Sequence, residues 1–154
     1  MIKVGRCSSD ADFAAARGIV DDYVEWLGID LGFQDWEEER ENFASIYAPP
    51  HGVFLLAWSG ADLAGGVGVR RLEPGVCEMK RLYVYDRFKR EGIGRRLCVE
   101  LIDEARKLGY ERMRLDTLAH MSAARALYER LGFEEIEPYR FNPHPGARYM
   151  ELVL

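Results

Sequence analysis

Apolar residues recur every three or four positions in the first part of the chain, which is the spacing of helices with one buried face. The first helix is predicted to begin near Ser9, whose hydroxyl can cap it, and to end at Gly28. A second helix is predicted from Asp35 to Tyr47 and ends before Pro49-Pro50. Its acidic run, Glu37–Glu41, is expected to be largely solvated.

The period changes to two from Gly52 onward, which predicts strands. The predicted strands are Ile2–Cys7 at a sheet edge, Val53–Trp58, Leu63–Arg71, Val76–Val84, Glu111–Thr117, Phe133–Ile136 and Ala147–Val153. Alternation along the fourth of them places Glu78, Lys80, Leu82 and Val84 on one face. The early strands form antiparallel hairpins. Helices at 93–108 and 122–131 then alternate with strands, which implies that part of the sheet is parallel.

Composition limits the function classes. The chain has 154 residues, of which 48% are apolar, enough for one compact domain spanning residues 1–154. Its net charge of -5 repels polyanions and argues against a nucleic-acid partner. No apolar run approaches the ~18 residues of a membrane span, so no membrane partner is expected. Three cysteines without a C-x-x-C spacing and scattered histidines predict no metal site and a reduced, cytoplasmic protein.

A glycine-containing loop, Lys89–Gly94, connects the strand that ends at Val84 to the helix that begins near Ile93. Amides at a helix start point outward and the helix dipole adds positive potential, so this arrangement favours a pyrophosphate. The loop lacks the Gly-Lys-Ser/Thr of a P-loop, and Leu97 stands where a dinucleotide fingerprint needs a third glycine. Two glycines alone are equally consistent with a plain helix cap among solvated arginines.

Two segments together resemble a known family. Arg81-Leu82-Tyr83-Val84 through Leu97, followed by Ala124-x-x-Leu127-Tyr128-x-x-x-Gly132-Phe133, resembles the two core motifs of the GNAT superfamily of acetyl-CoA-dependent N-acetyltransferases. The resemblance covers roughly residues 76 to 136. It implies an α/β fold of mixed α+β type. The expected central sheet has about seven strands, antiparallel in its N-terminal half, with a parallel pair at the cofactor cleft and helices on both faces.

The resemblance also implies a donor site for acetyl-CoA as co-substrate. The residues it assigns to this site are Leu82, Tyr83, Val84, Lys89, Arg90, Glu91, Gly92, Ile93, Gly94, Arg95 and Ala124. The strand at 82–84 is expected to pair with the pantetheine arm, and one of its amides to polarise the thioester carbonyl. Lys89 stands where the family has Gln or Arg, and Met121 where it often has Asn.

Two side chains are expected to carry the chemistry. Tyr128 matches the family's frequent general acid, and Glu78 resembles the base of some members, a role that water can also fill. The structural alternatives are a core aromatic for Tyr128 and, for Glu78, an exposed strand residue paired with Lys80 or Arg70. From the sequence alone, the catalytic and the structural interpretation both stay open for Tyr128 and for Glu78.

The expected acceptor is a primary amine on a small molecule. A protein or peptide acceptor, and a non-catalytic acyl-CoA-binding module, are the alternatives. The residues expected around the acceptor are Tyr23, Trp26, Asp35, Trp36, Tyr139, Arg140, Asn142 and His144. Arg140 could hold a substrate carboxylate there. The apolar segment Tyr149–Val153 allows a homodimer, and a monomer is equally consistent.

Overall fold

A computed structural model describes residues 1–28 and 35–154. The strands are β1 (Ile2–Arg6), β2 (Val53–Ser59), β3 (Asp62–Glu73), β4 (Val76–Val84), β5 (Arg112–Thr117), β6 (Glu134–Ile136) and β7 (Arg148–Val153). The helices are α1 (Asp10–Leu27), α2 (Trp36–Glu41), α3 (Phe43–Ile46), α4 (Ile93–Lys107) and α5 (Ser122–Arg130), with a 3-10 turn at Asp86–Phe88. Most predicted elements are therefore present within one or two residues of their expected bounds.

The strands form one sheet in the order β1-β2-β3-β4-β5-β7-β6. β4 and β5 run parallel and the other neighbours are antiparallel, so the predicted mixed sheet is confirmed. The parallel register joins Val76–Glu78 to Arg112–Arg114 and stops there. Beyond that point the two strands separate. The second half of β4 stays paired with β3, but on the β5 side its backbone groups face a cleft.

The prediction that Glu78, Lys80, Leu82 and Val84 share one face is wrong. Arg81 has a φ of 64°, and β4 carries one extra residue there relative to β3. Such a β-bulge reverses the alternation of side chains. Leu82 and Val84 therefore pack on the core beneath α4, whereas Glu78 and Lys80 line a cavity beside α2.

Each face of the sheet is covered by a separate core. On one face the apolar stripe of α4 packs against β2, β3 and β4, and its buried members are Ile93, Leu97, Cys98, Leu101, Ile102 and Ala105. On the other face α1 and α3 pack against Phe54 and Leu56 of β2. Full burial of each large aliphatic side chain is worth about 1.5–3 kcal/mol, so these stripes fix both helix layers. Within the described ranges, no helix has the length and apolarity needed to cross a membrane.

The second predicted helix is divided in the structure. Asn42 leaves the helical region, with φ -106° and ψ 18°, so α2 ends at Glu41 and α3 begins at Phe43. The Asn42 side-chain amide donates to the backbone oxygen of Glu38 at 3.0 Å. A side chain that bonds locally to the backbone competes with the regular helix, which is the physical reason for the break.

Candidate functional site

The loop before α4 has the backbone that an anion site requires. Gly92 precedes the first helical residue with a φ of 75°, and no described side chain caps the first turn of α4. A Cβ on Gly92 would meet no atom within 4 Å, so its left-handed conformation, rather than lack of space, favours glycine. The first amides of α4 are therefore open to a ligand.

Cationic side chains surround this loop as predicted. Arg90 and Arg95 are exposed, and so is Glu91. The Lys89 ammonium is 2.8 Å from Asp86 Oδ1 and 5.3 Å from the centre of the Trp26 ring. Lys89 is thus held beside the loop by a carboxylate and an aromatic face, a position from which it can turn toward a phosphate.

The separation of β4 from β5 creates a cleft of about 70 Å³. Three residues from the predicted site line it together: Leu82, Ala124 and Tyr128. The other lining residues are Tyr23, Leu27, Met79, Lys80, Arg81, Leu115, Asp116, Thr117, Leu118 and Met121. The cleft has room for a group the size of an acetyl or a few water molecules.

Tyr128 is both a core aromatic and a residue that lines the cleft, so it fits both interpretations left open by the sequence. Its ring packs in the α4-side core, 5.7 Å from the ring of Phe133, and it also lines the cleft. Burial raises the pKa of Tyr128 well above its ordinary value, with Cys98 and Asp116 adding to the effect. The phenol is therefore protonated at neutral pH and can donate.

Thr117 supplies a polar group at the floor of the cleft. Its hydroxyl is buried and has no hydrogen-bond partner among the residues that the structure describes. An orphaned buried hydroxyl costs about 1–3 kcal/mol, and a polar ligand in the cleft would satisfy it.

Glu78 is buried, so the alternative interpretation of this residue as an exposed strand residue is wrong. Its Oε2 is 2.5 Å from Arg140 Nη2 and accepts a hydrogen bond from the Tyr139 hydroxyl at 2.7 Å. Lys80 Nζ is 3.8 Å from Oε1, which confirms one suggested partner, whereas Arg70 pairs with Glu39 instead. The segment after β6 covers this carboxylate with two donors, which makes its burial possible.

The run Glu37–Glu41 was predicted to be largely solvated, and its members are exposed except for Glu39, which is buried. Arg81 contacts both of its oxygens at 3.1 Å, Arg70 lies 3.4 Å away, and the Tyr47 hydroxyl donates to it at 3.0 Å. Burial opposes ionisation, but Arg81 outweighs it and lowers the pKa of Glu39 below its ordinary value. Glu39 follows Trp36 by three positions, so its place on the apolar stripe of the helix was a usable signal.

A larger cavity of about 960 Å³ lies beside these two carboxylates. Its lining residues are Asp35, Glu38, Glu39, Asn42, Ile46, Arg70, Arg71, Leu72, Glu78, Lys80, Tyr139, Arg140 and Phe141. Lys80 also lines the cleft, so it stands where the two spaces approach each other. Burial, with Arg81 next, lowers the pKa of Lys80 to about 8.

Four of the eight residues expected around the acceptor line one of the two spaces, and four do not. Asp35, Tyr139 and Arg140 line the larger cavity, and Tyr23 lines the cleft. The others lie elsewhere. Trp26 is beside Lys89, Trp36 packs 5.3 Å from the Arg81 guanidinium, Asn142 donates to Asp116, and the His144 amide donates to Asn142. In the part of the chain that is described, no group of three or more His, Cys, Asp or Glu is placed to hold a metal ion.

Comparison with known proteins adds independent information. The family described as "Acetyltransferase (GNAT) family" matches residues 19–133. An uncharacterized N-acetyltransferase of Schizosaccharomyces pombe is 42% identical over 99% of this chain and 95% of its own length. The N-alpha-acetyltransferase RimI of Mycobacterium tuberculosis is 38% identical over 58% of this chain and 56% of its own.

Among solved structures, the PaiA N-acetyltransferase of Thermoplasma acidophilum in complex with coenzyme A superposes with a TM-score of 0.73. The match covers 100% of this chain and 99% of that one, at 18% identity. At this level of identity the similarity shows a shared fold.

Proposed function

Because the chain belongs to the acetyltransferase (GNAT) family and is an acetyl-CoA-dependent N-acetyltransferase, we propose that its acceptor is a primary amine on a small molecule. The acetyl group passes directly from the thioester to the amine. One observation carries the proposal: Tyr128 and Leu82 line the same cleft between β4 and β5. Lys80 lines both this cleft and the large cavity, so the two spaces are adjacent.

The residues of the cleft and of the loop before α4 suit acetyl-CoA. The pyrophosphate is assigned to the open amides of Gly92–Gly94, with Arg90, Arg95 and Lys89 adding positive charge. The pantetheine arm is assigned to the backbone of Leu82–Val84, which β5 leaves unpaired. The orphaned Thr117 hydroxyl provides a further hydrogen bond for a ligand amide. The small side chain of Ala124 allows acetyl-CoA to approach this wall of the cleft closely.

The reaction needs one proton removed and one supplied. The amine nitrogen forms a bond to the acetyl carbon, the carbon–sulfur bond breaks, and the departing thiolate takes a proton. Tyr128 is the proposed proton donor, because its phenol is protonated and faces the cleft. An amide of Leu82 or Val84 is the proposed donor to the thioester oxygen as negative charge develops there.

The proton leaving the amine goes to Glu78 or to water. Arg140 and the Tyr139 hydroxyl both contact Glu78 Oε2, and Lys80 approaches Oε1. Both oxygens of Glu78 are thus approached by side chains of the protein itself. We therefore favour water as the immediate base, with Glu78 holding the wall of the cavity.

The size of the cavity supports a small acceptor. Its volume of about 960 Å³ lies within the range of small-molecule sites. A peptide acceptor is the rival function, because RimI, whose name gives it as an N-alpha-acetyltransferase, is a relative. A non-catalytic acyl-CoA-binding module is the rival from another class. The cytoplasmic location, the homodimer and the absence of a nucleic-acid partner stay predictions of the sequence.

The test measures CoA release from acetyl-CoA with a panel of small amines and a panel of peptides. We expect turnover with a small amine and a fall of about 10²-fold or more in kcat for Tyr128→Phe, with CoA affinity unchanged by calorimetry. Tyr110→Phe is the matched control, because its hydroxyl bonds to His51 far from the cleft. Turnover of peptides alone, or CoA binding without any turnover, would contradict the proposal.

A further inference from the structure

We propose that Lys80 is a self-acetylation site: without an acceptor, its side-chain amine takes the acetyl group of acetyl-CoA and blocks the junction between the cleft and the large cavity. The inference rests on the donor site of the proposed function. It starts from the position of Lys80, whose side chain lines both spaces. None of the other three lysines of the sequence lines either space.

Lys80 places a primary amine where the amine of an acceptor has to arrive. An acceptor that enters from the large cavity approaches the thioester along the wall that Lys80 forms. Leu82, whose amide is a proposed donor to the thioester oxygen, lies two residues further along β4. Two residues of extended chain span at most about 7 Å, which is comparable with the reach of a lysine side chain. A nucleophile held this close reacts far faster than one free in solution.

The contacts of Lys80 hold its amine near the junction without fixing its direction. The side chain is 4% exposed, and Nζ lies 3.8 Å from Glu78 Oε1. At this separation the contact is an ion pair rather than a hydrogen bond, so the amine can turn toward the cleft. The other charged groups that act on it are Arg81, Glu39 of α2 and Arg140 of the segment after β6.

Burial also raises the neutral fraction of this amine. It lowers the pKa of Lys80 from 10.5 to about 8, and Arg81 adds to the effect. At pH 8 about half of Lys80 is therefore neutral, against less than roughly 1% of a lysine in water. Only a neutral amine attacks a thioester, so the site that buries Lys80 also activates it.

The step balances with the groups already described. The neutral Lys80 nitrogen bonds to the acetyl carbon, the carbon–sulfur bond breaks, and the nitrogen loses a proton to water. The departing thiolate takes a proton from Tyr128, the proposed donor. The products are an amide at Lys80 and free CoA. This amide is uncharged and larger than the amine, so it ends the ion pair with Glu78 and fills part of a cleft of about 70 Å³.

The experiment incubates the protein with deuterium-labelled acetyl-CoA and no acceptor, and follows each lysine by peptide mass spectrometry. Acetylated Lys80 resists trypsin, so its label appears in the peptide 72–81. We expect Lys80 to be labelled faster than Lys3 and Lys107 by about tenfold or more. Those two lysines are exposed, so unassisted acetylation would favour them. Excess CoA, which competes for the donor site, should slow labelling at Lys80 alone.

Variants separate the amine from its charge. Lys80→Arg keeps a positive charge beside Glu78 but offers no amine to acetylate, so it should abolish acceptor-free release of CoA while calorimetry still detects CoA binding. Lys80→Met gives the same test without the volume of arginine. Lys107→Arg is the matched control, because Lys107 is exposed and pairs with Glu104, and it should release CoA like wild type.

Each result decides one claim. An unlabelled Lys80, or label that reaches Lys3 and Lys107 as fast, would overturn the proposal. Labelled protein that turns over amines at the wild-type rate would overturn the block at the junction. The proposed function fails separately: label at Lys80 with no small amine turned over would leave self-acetylation standing, whereas amine turnover with Lys80 unlabelled would do the reverse.

Discussion

Replacement of Glu39 tests the buried charge cluster beneath the acceptor cavity. In Glu39→Ala the Arg81 guanidinium, whose side chain is 2% exposed, loses both of its 3.1 Å contacts to a carboxylate. The Tyr47 hydroxyl loses its acceptor in the same step. We expect the variant to be strongly destabilised, because a buried guanidinium would lose its carboxylate contacts and a buried phenol would lose its acceptor.

The size of the effect follows from these contacts. Removing one partner of a buried ion pair typically costs about 3–5 kcal/mol, because the other charge stays buried without compensation. For a chain of this length each kcal/mol corresponds to roughly 2–4 °C in Tm, so the expected loss is about 6–20 °C. The double variant Glu39→Ala/Arg81→Met should recover part of the loss, since it removes both charges.

Guanidinium chloride unfolding followed by circular dichroism measures the free energy of unfolding of each variant. Glu37→Ala is the matched control, because Glu37 lies on the exposed side of the same helix. It should change stability by no more than about 0.5 kcal/mol. A loss below about 1 kcal/mol in Glu39→Ala, or a double variant as unstable as the two single changes added together, would refute the reasoning.

Three further predictions concern other parts of the molecule. In Gly68→Ala the new Cβ would lie 2.6 Å from Tyr47 Cε1, so we expect a loss of about 1–3 kcal/mol in chemical unfolding, and a neutral result would contradict the packing. The pKa of Lys80 is lowered by burial to about 8 from an ordinary 10.5, so the unfolded chain binds the extra proton between those values and stability rises with pH there. Lys80→Met should lose that component of the slope, and equal slopes would contradict it. Gly92→Ala, at a φ of 75°, should weaken CoA binding several-fold in calorimetry, whereas Gly60→Ala, at 61° in a distant turn, should bind CoA like wild type.

Local pattern was sufficient for much of the fold and for the backbone of the loop to which we assign the donor. The spacing of Leu97, Leu101 and Ala105 was enough to place α4, because a helix that covers a sheet must bury one stripe. Gly92 marked the start of that helix for a similar reason, since its backbone requires a left-handed φ. The resemblance then linked Tyr128 to the same cleft, where the structure places it.

Features that depend on distant partners could not be predicted. The bulge at Arg81 is set by how β4 pairs with β3, and alternation along one strand carries no sign of it. Glu39 and Arg81 are 42 positions apart, so their pairing is invisible to a window of helix length. The covering of Glu78 by Arg140 depends likewise on where the segment after β6 folds back. These features line the large cavity that we propose for the acceptor, which is why the sequence indicated a donor loop more clearly than an acceptor site.

The most direct test of the central claim is a crystal structure of the protein grown with acetyl-CoA. We expect the pyrophosphate at the amides of Gly92–Gly94 and the pantetheine arm along Leu82–Val84. The sulfur should lie within about 3.5 Å of the Tyr128 hydroxyl or be joined to it by one water molecule. Density for the pyrophosphate away from the start of α4, or a sulfur remote from Tyr128, would contradict the account.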